Sequence, residues 1–208
     1  MPSMFRALSE SWLLRRERRQ DIGLLRVGSL AKVVGTARSE AEPLIAPLTG
    51  RRCVCFRVVT YKGPEERQIL LSDVDEGQRF FVDDATGSVR VDQRGYASLI
   101  LPAVTIHHRD NYAAGKHLDA YIRRHGRDKA SFFEGFTLAG AGVDPLEYRE
   151  QVVEVGAEVA VLGQVAETGE LAAQDPRGSG YRDARALLQL EPPPTSPLLV
   201  SGKPAHRR

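Results

Sequence analysis

The sequence predicts a mainly β protein of the α+β class: a small closed or half-open barrel with one helical insertion and one helix ahead of it. Three observations predict it. Short runs rich in β-branched and aromatic residues recur along the chain, separated by turns bearing glycine and proline. One stretch, at about 110–140, changes to helical spacing. Two of the strand patterns, 33–37 and 161–165, carry a central glycine (Gly35 and Gly163), where a bend or bulge lets a sheet coil.

The first 26 residues read as a basic amphipathic helix. Phe5, Leu8, Trp12 and Leu13 recur at helical spacing, and Arg15, Arg16, Arg18 and Arg19 decorate the end. A strand is expected over 30–37. Pro43, Pro47 and Gly50 mark a loop, and 53–61 alternates as a second strand. After a turn at 62–64, residues 68–72 read as a strand, with Asp73, Asp75 and Glu76 as a solvated acidic loop. Runs at 79–83 and 88–92 bracket Asp84-Ala85-Thr86-Gly87, a hairpin turn whose glycine is expected to take a positive φ. Residues 96–106 are extended around Pro102.

Helical spacing follows at Tyr112, Leu118, Tyr121 and Ile122, then an apolar cluster of Phe132, Phe133 and Phe136. Strands are expected at 148–153, 158–165 and 186–190, with Thr168-Gly169 as a turn. Pro192, Pro193, Pro194 and Pro197 are expected to end regular structure, leaving a frayed basic tail. A helical insertion followed by two more strands is the order of an oligonucleotide/oligosaccharide-binding (OB) type barrel; a β-sandwich is the alternative. The predicted organisation is a basic helix at 1–26, the barrel with its insertion at 27–201, and a basic tail at 202–208.

Among 208 residues, 29 are lysine or arginine and 27 are acidic, and 42% are hydrophobic, which is globular rather than disordered. Six arginines against Glu10, Glu17 and Asp21 give residues 1–26 a net charge of +3, and the remainder carries −1. A nearly neutral body argues against a dedicated nucleic-acid binder. No apolar run reaches the ~20 residues of a membrane-spanning helix, and no secretory signal pattern opens the chain. A cytoplasmic protein, with peripheral membrane contact through the basic helix as an option, is expected.

Cys53 and Cys55 are expected to be one buried and one exposed strand residue, without a disulfide; two cysteines do not build a zinc finger or a RING. His107, His108, Asp110 and His117 are the nearest approach to a metal cluster, but they read as loop histidines, with Asp110 as a helix N-cap. Asp73, Asp75 and Glu76 lack the terminal bidentate glutamate of a calcium loop. Asp83 and Asp84 are adjacent in a strand and point apart, which suits a turn better than paired acid–base work. No nucleophile elbow, Walker A loop or dinucleotide fingerprint occurs. No catalytic residue, metal ligand or cofactor is assigned.

Four motifs in order resemble one family. They are 34–37 with the Pro-Leu run of 43–54, the hairpin of 81–89, 148–156 with Val161-Leu162-Gly163, and 197–201. Together they resemble the GIDE-type, or beside-a-membrane, domain of membrane-anchored mitochondrial E3 ubiquitin ligases, here as a bacterial-type member lacking the RING and the transmembrane helices. In that family ligase activity resides in the RING, so the resemblance implies only the accessory domain and a role in partner recognition. The expected function is therefore a non-catalytic adaptor for a protein or peptide partner. Tyr96, Phe132, Phe133 and Phe136 are the candidate apolar contact. Phe5, Leu8, Trp12, Arg15, Arg16 and Arg19 are the candidate membrane or partner contact. The alternatives are single-stranded nucleic-acid binding through Phe56, Tyr61, Phe80 and Phe81 with Arg57, Arg79 and Arg90, an accessory part of a ubiquitin-ligase system, and a hydrolase without a legible site.

Overall fold

The computed structural model describes residues 11–62, 69–93, 97–100, 104–107, 146–171, 186–203 and 206–207. The described strands are β1 (Leu30–Ser39), β2 (Leu44–Ile45), β3 (Arg52–Lys62), β4 (Ile69–Gly77), β5 (Phe80–Asp84), β6 (Gly87–Val91), β7 (Ala97–Ile100), β8 (Val104–His107), β9 (Leu146–Glu154), β10 (Glu158–Leu171), β11 (Ala186–Glu191) and β12 (Leu198–Ser201). The chain forms two compact units. The first takes 1–42, 78–101 and 155–208, and the second takes 43–77 and 102–154.

The first unit is a closed barrel. Its strands run β1–β5–β6–β11–β10, and β10 pairs with β1 to shut the ring. Every pairing within the ring is antiparallel except β6 with β11. One parallel pair in a five-stranded closed ring is the OB arrangement expected from the strand order. Alternation decides what fills it. Val33 of β1 faces Val161 of β10, and Val82 of β5 faces Val89 of β6; with Phe80, Val91, Val165 and Leu190 they are buried and line the inside. The opposite face of the seam carries Lys32 opposite Leu162. There β12 pairs with β10, and β7 pairs in parallel with β12.

The two strand glycines are explained by close approach rather than by a bulge. The β1–β10 register is continuous from Leu30 opposite Gln164 to Thr36 opposite Glu158. A Cβ on Gly35 would lie 2.8 Å from the Asp83 carbonyl carbon and 2.9 Å from Val82 Cγ1. A Cβ on Gly163 would lie 2.5 Å from Leu198 Cδ1 and 3.0 Å from the Glu191 carbonyl oxygen.

Several local expectations are corrected. Gly87 does not take a positive φ. The Asp84 carboxylate closes the two-residue turn instead, accepting from Thr86 N (2.7 Å), Thr86 Oγ1 (2.7 Å) and Gly87 N (3.0 Å). Thr168-Gly169 does not end β10; Gly169, at φ +72°, sits in an irregularity where the β10–β11 register shifts between Glu167 and Leu171. The prolines at 192–197 do not end regular structure, because β12 follows, buried at all four positions. The tail is docked as well: His206 is fully buried, and Arg207 pairs with Glu158 at 2.9 Å.

The second unit is a sheet centred on β3. β9 pairs along one side of β3 and is followed by β8, while β2 and β4 pair along the other side. Val54, Phe56, Val58, Tyr148 and Val153 are buried in it. Asp73, Asp75 and Glu76 are not a loop; they continue β4, opposite Val59, Arg57 and Phe56. Cys53 and Cys55 are both buried, and neither is in a disulfide. Val54 between them is buried too, so both faces of β3 are covered here and the expected exposed cysteine is absent. The helical insertion expected at about 110–140 lies outside the described residues.

Candidate functional site

The segment before β1 is held to the barrel at three points. Residues 11–16 are helical. Leu14 is fully buried in a cluster with Ile100, Leu162 and Leu199, with Leu13 against its edge. The buried Lys32 ammonium donates to the Leu14 carbonyl at 2.9 Å, so a cation satisfies one of the last carbonyls of the helix. Burial lowers the Lys32 pKa, against a smaller raising effect of Glu17. Gln20 N donates to the Lys32 carbonyl at 2.8 Å. A 3-10 turn at Ile22–Leu24 then sits on the β5–β6 hairpin: Ile22 N donates to Asp84 Oδ2 at 3.1 Å and Gly23 N to Thr86 Oγ1 at 2.9 Å.

This docking divides the segment by face. Leu14 and Ile22 point inward, while Trp12 stays 55% exposed with the Arg16 guanidinium 5.0 Å from its ring centre. Arg15, Arg16, Arg18, Arg19 and Arg26 are exposed. Leu24 and Val27 of the same segment, and Leu30 at the start of β1, are exposed apolar residues. Of the predicted contact residues, Trp12, Arg15, Arg16 and Arg19 thus lie on the surface. Phe5, Leu8, Tyr96, Phe132, Phe133 and Phe136 lie outside the described residues, as do His108, Asp110 and His117.

The far end of the chain meets this segment. His206 Nε2 is 3.0 Å from Ser11 Oγ, and Nδ1 is 2.7 Å from Ser201 Oγ. The Ser201 hydroxyl donates its proton to the Ile100 carbonyl at 2.9 Å and accepts from Lys203 N at 3.1 Å. Its partner Nδ1 must therefore be the protonated nitrogen, and Nε2 accepts from Ser11.

On the outer face of β1, β5 and β6, Phe81 is flanked by Arg38 at 4.5 Å and Arg90 at 5.9 Å. Arg38 pairs with Asp83 at 2.7 Å, and Arg90 with Glu40 at 3.0 Å. The Asp83 carboxyl sits below its ordinary pKa: burial acts to raise it, but Arg38 and Ser88 outweigh burial.

In the second unit the buried Glu150 carboxylate accepts from Leu48 N (2.8 Å), Thr49 N (3.2 Å) and Thr49 Oγ1 (2.5 Å). It fixes the Pro47-Leu48-Thr49 turn. Burial, with Glu150, Glu76 and Glu154 adding repulsion, pushes the Cys53 thiol up to about 12, which removes it as a nucleophile near neutral pH. Sequence reasoning missed Leu14, Lys32, Glu150 and His206. Each is defined by a partner at least 18 residues away. Among the described residues no group of three metal-binding side chains occurs, and no helix is long and apolar enough to cross a membrane.

Residues 60–182 match the family model GIDE, E3 ubiquitin ligase. No curated protein and no solved structure matches the chain. The match takes in the β5–β6 hairpin and the stretch from β9 into β10, two of the four motifs named above. With a closed OB-type barrel carrying those motifs, the chain belongs to the GIDE family, described as E3 ubiquitin ligase.

Proposed function

We propose that this chain is a non-catalytic binding module that recognises a protein partner with an acidic surface, serving as an adaptor in a ligase-related system. The observation that carries this reading is the division of the N-terminal segment. Its inward leucine is spent on the barrel, and its tryptophan and arginines are turned to solvent. Tryptophan and arginine are the side chains most enriched among residues that dominate binding energy. Their cationic charge selects an acidic counterpart and speeds encounter.

The test is affinity purification from the native cell, comparing wild type with Trp12→Ala and with Arg15→Glu/Arg16→Glu. These substitutions sit on exposed positions and leave Leu14 in place. Deletion of the whole segment would instead open the Leu14 cluster. A partner retained equally by all three proteins refutes the assignment of this face.

A second reading, peripheral contact with an anionic membrane, is favoured by exposed Leu24, Val27 and Leu30 beside the arginines. Flotation with vesicles containing phosphatidylserine separates the two. The nucleic-acid reading is weaker, because the Phe81 ring that would stack a base is flanked by the chain's own Arg38 and Arg90.

A further inference from the structure

We propose that His206 is the pin of a pH-sensitive latch, which holds the helix at 11–16 on the barrel while the ring is neutral and releases it when the ring takes up a proton. Three elements meet at this imidazole. The helix supplies Ser11, β12 supplies Ser201, and the C-terminal segment supplies the ring itself, which is fully buried. The neutral ring is saturated: Nδ1–H donates to Ser201, and Nε2 accepts from Ser11.

Among the described residues, the charged groups acting on the ring are Arg15 from the helix, Lys203 from the C-terminal segment and Lys32 from β1, all cationic. Its described hydrogen-bond partners, Ser11 and Ser201, and the Ile100 carbonyl behind Ser201 are neutral. A proton on Nε2 puts a positive charge on a fully buried ring that already feels three cations, the buried Lys32 and the exposed Arg15 and Lys203. It also forces the Ser11 hydroxyl to turn from donor to acceptor. Burial first, and then Arg15, Lys203 and Lys32, hold the ring below its ordinary value of 6.5. A base whose pKa is lowered by folding stabilises the folded form fully above its unfolded value. That contribution is lost as pH falls from there through the folded value.

The element lost first is the one with least to hold it. The helix is attached through Leu14, the Lys32 ammonium and Ser11, whereas β10 and β12 are bound into the sheet. Release carries Trp12, Arg15 and Arg16 away from the barrel. As a control on the partner-contact face the latch rests on the reading given above. As a conformational change it does not, and it is read without any partner.

Trp12 is the only tryptophan, so its fluorescence reports this helix alone. The experiment follows acrylamide quenching of Trp12, and amide exchange at 12–16 corrected for intrinsic rates, in the full chain between pH 7.5 and 5. Helix opening is expected to rise about tenfold for each pH unit by which the ring is held down, while β1 and β10 amides stay protected. His206→Gln keeps a hydrogen-bonding side chain that does not titrate, and is expected to abolish the response. Arg15→Glu, on an exposed position, puts an anion by the ring and is expected to move the response to lower pH or remove it. Should His206→Gln fail to fold, Arg15→Glu decides. A wild type without selective opening refutes the latch, as does a His206→Gln or Arg15→Glu protein with the wild-type response. Loss of partner binding in Trp12→Ala with an unchanged pH response would bear on the contact face, not on the latch.

Discussion

Replacing Gly35 with alanine tests the reason for a glycine inside the barrel. The added methyl would stand 2.8 Å from the Asp83 carbonyl carbon and 2.9 Å from Val82 Cγ1. Carbon atoms in packed interiors rest about 3.5–4.0 Å apart, so β1 and β5 would have to separate by much of an ångström. The Asp83 contact is backbone, so no rotamer change relieves it. The same residue holds Arg38 through its side chain at 2.7 Å. A cost at the upper end of the overpacking range, about 3 kcal/mol, is expected. For a chain of this size that lowers the melting temperature by about 6–12 °C. Gly28 is the internal control. Its φ is +84° and a Cβ there meets nothing within 4 Å, so Gly28→Ala pays only the left-handed backbone penalty, about 1 kcal/mol. Calorimetry, with Trp12 fluorescence to follow the first unit, gives both values. A Gly35→Ala protein melting within 2 °C of wild type, or less affected than Gly28→Ala, would refute the close-approach argument.

Glu150→Gln keeps the shape but turns an amide N–H₂ toward the donors Leu48 N, Thr49 N and Thr49 Oγ1; a loss of about 2–3 kcal/mol is expected in chemical denaturation. Cys53, buried and with its thiol raised to about 12, is expected to resist a disulfide reagent at pH 8 in the native protein and to react only at the rate of unfolding. Asp84 is held below its ordinary 3.8: burial acts to raise it, and hydrogen bonds from Thr86, Ile22 and Gly87 outweigh burial. The hairpin tip is therefore expected to keep its anchorage above pH 3.8 and lose it as pH falls through the lower folded value. Titration by NMR checks this, and Asp84→Asn should remove the acid step.

Where a strand's identity is written in its own alternation, the sequence was sufficient. β1, β3, β9 and β11 fall within two residues of expectation at each end, β10 starts where expected but runs on to Leu171, and the OB order follows from them. The failures share a cause. β4 runs on through three acids because β3 supplies it with partners, including Arg57 opposite Asp75. β12 forms behind a run of prolines because β10 and β7 offer it two edges. The tail, basic in composition, is fixed by a histidine whose partners lie at Ser11 and Ser201. At the N-terminal helix, spacing identified an amphipathic element but not which leucine docks. That choice belongs to the pocket made by Ile100, Leu162 and Leu199. Glu150 reads as one more polar residue of an alternating strand until the turn at 47–49 folds over it.

Synthesis from the amino end gives barrel closure a schedule. β1, β5 and β6 are complete by Val91, yet the parallel partner of β6 and the strand that shuts the ring lie in β11 and β10. At typical ribosomal rates the ~100 intervening residues take roughly 5–20 seconds. Through that interval a three-stranded sheet waits with both outer strands unpaired, the arrangement most prone to join a neighbouring nascent chain. Overexpression of fragments ending before Glu191 should therefore yield aggregates rather than a smaller folded protein.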